Sequence, residues 1–445
     1  MLLKIKGFLF AGGLCLLLAV FIFPFPPSAE ALSYDPYAPV YQEEPKAPSV
    51  AEDISAHFLT YPFEILRWPV DRGLVYIEKY HLDEKFEWLY NKTLEQGITP
   101  HFNIMGFGNG AYGVDVDFIR LARQKEHFPD LTVQSWIDYS QDVIFEVGST
   151  VKIDHIADTG LHTYGVFKYE DRPEEHFYGI GPDTSAGEGT SFTMEATTLE
   201  AVAGYTVNPT LIIDFKYAYR HVHISEGEDE GRGQIARIFP PATIPGLDGD
   251  TLNVIGVEVN HDTRNHKADS SKGGQQRFSF SFNEGVGASD ARYFKYEAEV
   301  SQYIPLFSER RVLVIHFYGE HNDEIGDHNV PFHQMAKLGD YGTYPRLSHT
   351  LRGFDFNRFF DESAALMNLE YRYTIWQYRD YKMDTLIFWD EGQAFGEFSD
   401  FQFSDFRESY GLGFRLTLAR NILVTVQAAH GDEGTRLYVK TNAPF

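Results

Sequence analysis

The densest run of side chains able to hold a metal or move a proton lies between His316 and His333. It contains His316, Glu320, His321, Asp323, Glu324, Asp327, His328 and His333. Imidazole and carboxylate are proper ligands for divalent metals. No spacing in the run matches a defined metal centre, so its expected character is a solvated outer loop and no metal is assigned. Hydrolysis would need a serine activated by a histidine and an orienting partner. No recognisable nucleophile motif is present, and no enzyme activity is expected. The Gly-x-Gly pieces at Gly106 to Gly110 and Gly411 to Gly413 sit on strands or turns and open no helix, which removes nucleotide cradling. The single cysteine, Cys15, stands in the apolar leader, which leaves no expected disulfide or thiolate site. No cofactor is implied.

The elements that must position any site are strands. From about Ile98 to the C-terminus the chain alternates with period two. Tyr112, Val114, Val116 and Phe118 alternate with Gly113, Asp115, Asp117 and Ile119. Leu211, Ile213, Phe215, Tyr217 and Tyr219 alternate with Ile212, Asp214, Lys216, Ala218 and Arg220. Phe278, Phe280 and Phe282 do the same, as does the run from Ala365 to Ile375. Such alternation makes strands with one apolar and one polar face. The strands are long, and charges sit well inside their polar faces. A soluble sandwich does not need that, whereas a closed barrel in lipid does: its polar face lines a wet lumen, and closure removes unpaired edges.

The expected fold is therefore an all-β transmembrane barrel, antiparallel, of about 16 strands. With both termini on one side, three long connections fall on the other: Glu170 to Gly189, Ser225 to Asp250 and Gly319 to Glu362. His221 and His223 share a strand face and read as a lumen-facing pair.

Composition agrees. Aromatic residues make up 16% of the 445, with 27 Tyr and 37 Phe, which suits aromatic girdles at two membrane interfaces. Mean hydropathy is only -0.30, which excludes a helical membrane protein but not a barrel, where every second residue faces lipid. The formal charge of -26 repels nucleic acid and suits solvated loops and an acidic lumen.

Four regions follow. Residues 1–31 form a signal peptide: Lys4 and Lys6, an apolar run from Phe8 to Phe23, and a small-x-small site at Ala29-Glu30-Ala31. Residues 32–50 are a Pro-rich linker. Residues 51–97 have helix-like apolar spacing broken by Pro62 and Pro69, and read as a short amphipathic helical arm. Residues 98–445 are the barrel. An exported chain with these strands belongs in a bacterial outer membrane, with outer-membrane lipid as its first partner. The last strand ends in Phe445, the usual mark of such barrels; Pro444 beside it cannot donate a ladder hydrogen bond, and would either weaken a seam there or lie past the strand.

One constellation carries a family resemblance. Leu351-Arg352-Gly353-Phe354 closes the longest connection. Leu369-Glu370-Tyr371-Arg372 follows on a strand, then Phe388-Trp389-Asp390-Glu391-Gly392, then Tyr410-Gly411-Leu412-Gly413-Phe414-Arg415. In order, spacing and position before Phe445 this resembles the BamA/TamA-type barrel superfamily, also called the bacterial surface antigen family. The resemblance implies that Arg352 sits on a loop tip folded into the lumen and engages Glu370 and then Asp390 of the Phe-x-Asp-x-Gly motif that ends at Gly392. The residues suit those roles. Glu370 shares a face with Asn368 and Arg372, opposite the apolar stripe, so it points into the lumen. A guanidinium fork bridges two carboxylates by charge-assisted hydrogen bonds. Gly353 lets the tip turn sharply, and Phe354 packs on the wall.

The resemblance implies assistance in inserting or translocating client proteins, with no nucleotide. The family's periplasmic POTRA modules dock substrates by strand addition. The arm at 51–97 is too short and irregular to be one, which points to a stand-alone barrel. Two other readings use the same barrel: a passive or plugged pore, and a structural or adhesive barrel working through its acidic outer loops.

Overall fold

The computed structural model describes residues 98–104, 112–121, 130–140, 144–156, 159–229, 231–240, 243–339, 350–418 and 420–440. The leader, the linker, the helical arm and Phe445 lie outside them.

Sixteen long strands carry the fold. They begin with β1 (Ile98–Ile104), β2 (Tyr112–Leu121), β3 (Asp130–Ser140), β4 (Ile144–Asp154), β5 (Leu161–Phe177), β6 (Thr190–Asn208) and β7 (Leu211–Glu226). A two-residue β8 (Gly233–Gln234) and one helical turn, α1 (Ile235–Ile238), interrupt the series. Then come β9 (Gly249–Asp262), β10 (Gly273–Gly285), β11 (Arg292–Leu306) and β12 (Ser308–Glu324). After the short β13 (Ala336–Leu338) and β14 (Phe359–Asp361), the chain ends with β15 (Ser363–Tyr378), β16 (Tyr381–Phe395), β17 (Arg407–Leu418), β18 (Asn421–Gly431) and β19 (Gly434–Lys440).

Each long strand pairs antiparallel with the next long strand in sequence. The last strand, β19, approaches the first, β1, which brings the sheet round into a barrel.

Period-two alternation decides which face is which. On β7, Phe215 is 63% exposed and Tyr217 and Tyr219 are exposed with it, while Ala218 and Val222 are buried. The exposed aromatic face is the one that meets lipid. His221 and His223 continue that outward face and are exposed, so the expected lumen-facing pair is corrected: two residues on from Tyr219, the pleat can only send them outward. They lie towards the strand end that carries the long connections.

Those connections are shorter than the sequence suggested, because the strands run further. Strand β5 continues to Phe177 and β12 to Glu324. Glu170 and the segment from His316 to Glu324 are therefore strand, not loop. Polar residues in a barrel strand disguise it as a loop, although every second one simply faces the lumen. The remaining connections, 178–189, 227–248 and 325–362, stand at the outer end by the asymmetry usual for such barrels.

Their described residues pack together. Phe177 packs edge-on against Phe239, Phe332 and Phe360 at 5.0 to 5.2 Å between ring centres, and Phe192 meets Phe332 at 5.1 Å. Ile235, Ile244, Leu252, Tyr293, Val330 and Met335 belong to the same buried cluster, and Ile180 packs against it, so that all three connections and the strands beneath contribute. Gly181 donates its N–H to the carbonyl of Phe360, and Asn357 donates to Glu175 at 2.7 Å. The outer mouth is roofed by a dome with its own apolar core. At the opposite end the turn 263–272 reaches inward from β9–β10 to β16, where Lys382 Nζ lies 2.5 Å from Asp269 Oδ2.

Glu362 sits just below the dome. Burial, and then the nearby carboxylates of Glu324 and Asp361, push its carboxyl up to about 7. A raised acid favours the folded state below the ordinary glutamate range and loses that contribution as pH rises towards 7. Glu362→Gln is therefore expected to raise the heat resistance of the barrel at pH 8 and to leave it unchanged at pH 4. Equal effects at both pH values would show that this carboxyl does not drive the change.

Candidate functional site

The site lies where the 325–362 connection descends into the lumen. Leu351 and Phe354 are fully buried and pack with Leu338, Phe359, Ala364, Leu366 and Ala394, an apolar wedge between loop and wall. Phe354 meets Phe359 edge-on at 5.3 Å. Between these anchors Arg352 turns the other way and is itself fully buried.

Arg352 donates from Nε and Nη2 to the two oxygens of Asp390, both at 2.7 Å, and from Nη1 to Glu370 Oε2 at 2.9 Å. Its backbone N–H also points at Asp390 Oδ2. The guanidinium carbon lies over the ring of Phe388, 3.4 Å from its centre. A planar fork, two carboxylates and an aromatic face use every side of one arginine. The structure thus brings together Arg352, Glu370 and Asp390.

Strand register places the partners. Glu370 on β15 pairs with Phe388 on β16, and Asn368 with Asp390. Both acids face inward because they stand an even number of residues from Leu366 and Leu386, which are buried on the same faces. Asn368 donates to the carbonyl of Thr350, fixing the backbone just before the tip.

Gly353 has φ +94°, a conformation in which a side chain is strained. Its N–H donates to the Tyr438 hydroxyl on β19 at 2.8 Å, and its carbonyl accepts from Arg436 Nε. The tip is therefore joined to the last described strand as well as to β15 and β16. Gly392 closes the motif on β16; a Cβ there would come within 3.1 to 3.3 Å of Leu338, Leu351 and Leu366. Its lack of a side chain is what admits the apolar wedge. Phe445 lies outside the described residues.

A model of the Omp85 superfamily domain matches residues 142–429. The chain belongs to the Omp85 superfamily. The match takes in Arg352, Glu370 and Asp390 together with β15 and β16. Among solved structures, BamA from Haemophilus ducreyi lacking POTRA domains 1–3 is similar at a TM-score of 0.53 and 14% identity, over 78% of this chain and 69% of that one. CdiB from Escherichia coli is similar at 0.52 and 11% identity, over 77% of this chain and 62% of that one. At these identities the likeness is one of fold. No curated protein matches the sequence. As an Omp85 barrel the protein is an outer-membrane β-barrel.

Two members of this Omp85 site escaped the sequence reading. Arg372 donates to Glu370 Oε1 at 2.6 Å, and the fully buried Arg415 on β17 brings Nη2 to 3.6 Å from the same oxygen. Glu370 thus faces three arginines. The signal for Arg372 was its i+2 spacing from Glu370; for Arg415 it was a cation well inside the polar face of the glycine-bearing strand. Tyr438 carried no signal of its own, since nothing in β19 marks it as a loop acceptor.

The histidine and acid run is dispersed. His316 is buried on the lumen side with Asn368 and Glu299, Glu320 bonds Tyr318 and Asn322, and His321 faces outward. Among the described residues no group of three or more such side chains could hold a metal ion. Several lumen acids are paired with bases. Glu170 is shared by Arg172, Arg220 and Lys168, Lys295 meets Glu320 at 2.8 Å, and Arg277 meets Glu299 at 2.6 Å.

Tyr438→Phe tests the last-strand tether. It leaves the buried Gly353 N–H without its acceptor, which costs about 1–3 kcal/mol. A lowered unfolding temperature with unchanged assembly is expected. No change would mean that the Gly353 N–H finds another acceptor.

Proposed function

We propose that this barrel assists the insertion or translocation of client proteins into or across the outer membrane, with Arg352 as the residue that holds the lumen loop in place. The observation that carries the reading is the fully buried Arg352–Glu370–Asp390 lock, which fastens the tip of the longest connection to three wall strands. Such a lock suits a barrel whose resting lumen is occupied and whose loop is a working part. Energy would come from folding of the client, since no nucleotide site is implied. The lipid of the outer membrane and an unidentified client are the expected partners, and residues 1–31 are proposed as the export signal.

Quantitative proteomics of purified outer membranes with and without the protein tests this. Loss of many barrels would support general assembly, and loss of one or two surface proteins a dedicated exporter. An unchanged outer membrane would sink the reading.

A plugged pore is the second reading, favoured by the dome above the lumen and by the Arg352 loop held inside it. Single-channel recording separates it from an open porin. Rare openings that become frequent in Arg352→Ala fit a plugged lumen; steady large conductance of the intact protein would exclude it.

A further inference from the structure

The outward face of β16 behaves in two ways. Ile387 is 58% exposed, as a wall that meets lipid requires, but Phe395, eight residues on along the same face, is only 4% exposed. Phe395 is covered because the connection 396–406 folds back outside the barrel. Its ring lies 5.3 Å from Phe401 and 6.3 Å from Phe398. Ser363, at the top of β15, donates to the carbonyl of Gly396 and fixes the start of the fold-back.

From there the rings run sideways along the wall. Phe398 lies 4.3 Å from His321 on the outward face of β12, and His321 stacks with Tyr296 of β11 at 6.2 Å. Tyr296 meets Phe280 of β10 at 5.2 Å, and both are exposed on the lipid side. The connection is thus continuous with the aromatic wall.

The connection repeats itself: Phe398-Ser399-Asp400-Phe401, then Phe403-Ser404-Asp405-Phe406. Each copy contains one 3-10 turn, and the first is fixed by reciprocal bonds between Glu397 and Asp400. The second copy presents Phe403 and Phe406 nearly parallel, 11° apart in plane, with Phe401 edge-on to both. Phe403 is 87% exposed. A ring so placed is unfavourable in water and favourable at a bilayer interface, where aromatic residues of barrels concentrate. Glu397, Asp400 and Asp405 supply the charge that keeps such a segment at the interface and out of the hydrocarbon.

We propose that the 396–406 connection is a lipid anchor: it lies against the outside of the barrel over β12 to β16 and seats Phe403 and Phe406 in the outer leaflet. This goes beyond the lumen lock and does not depend on it.

The test uses a spin label. In a Cys15→Ser background, which removes the only native cysteine, Phe403→Cys is labelled and the full protein is reconstituted in phosphatidylethanolamine–phosphatidylglycerol vesicles. Phe403 is too exposed for the change to disturb folding. Ile387→Cys serves as the lipid-facing reference and Asp432→Cys as the water-facing one. The label at 403 is expected to collide with oxygen more than with a water-soluble nickel chelate, as at 387. Nickel access equal to that at 432 would overturn the proposal, and so would shielding from both agents.

Discussion

Arg352→Ala should lower the unfolding temperature of the barrel more than any other single change in the lumen. The substitution removes three charge-assisted hydrogen bonds at once and leaves Asp390 buried without the fork that satisfied both its oxygens. Glu370 is less affected, because Arg372 still donates to it at 2.6 Å. Breaking one side of a buried ion pair costs about 3–5 kcal/mol, chiefly through the charge left behind. Arg352→Lys keeps the charge but cannot fork, so it should fall between the alanine variant and the native protein. The readout is the temperature at which the folded band is lost in heat-modifiability gels. If all three proteins melt together, Arg352 holds nothing and the lock leaves the argument. The converse also matters. A buried ion pair adds little net stability over an apolar substitute, so its use here is to fix one loop position among several.

Phe332→Ala should have the second largest effect, in the dome above the lock. Phe332 is fully buried in a short turn of the longest connection and touches Phe177 of β5 and Phe192 of β6. Its N–H donates to the carbonyl of Pro245, in the neighbouring connection. Removing a core phenylalanine costs about 3–5 kcal/mol. Here that loss falls on the joint between connections, not on the strand ladder. The expected result is faster protease cleavage within 227–248 with little change in the melting of the barrel. Unchanged cleavage would mean that the dome is held by its hydrogen bonds and not by its rings.

The sixteen long strands were legible because alternation is imposed twice, by lipid outside and water inside. Their outer ends were not. Between Glu170 and Phe177, and between Gly319 and Glu324, the outward face carries polar residues such as Asp171 and His321, so the two-sided contrast fades although the ladder continues. The pair His221 and His223 shows the same effect: polar residues on the outward face, beyond the aromatic band, read as if they faced the lumen. Strands β8, β13 and β14 and the turn α1 had no periodic signature, since they exist only where the connections meet. The meeting of Arg352 with Glu370 and Asp390 rested on a resemblance joined to a face argument for Glu370. Arg415 and Tyr438 were beyond that argument, because Arg415 reaches Glu370, and Tyr438 the loop, from strands further along the chain.

The dome has a consequence for what the cell presents to its surroundings. Its surface is assembled from 178–189, 227–248 and 325–362, tied through Phe177, Phe332 and Phe360. An antibody or phage receptor-binding protein arriving from outside meets, over the described residues of the dome, a mosaic that exists while the three remain joined. Peptides copied from any one connection should be poor immunogens against the intact cell. Sequence drift in one connection is likewise checked by its two neighbours, so variation is expected to collect at the rim, away from the rings.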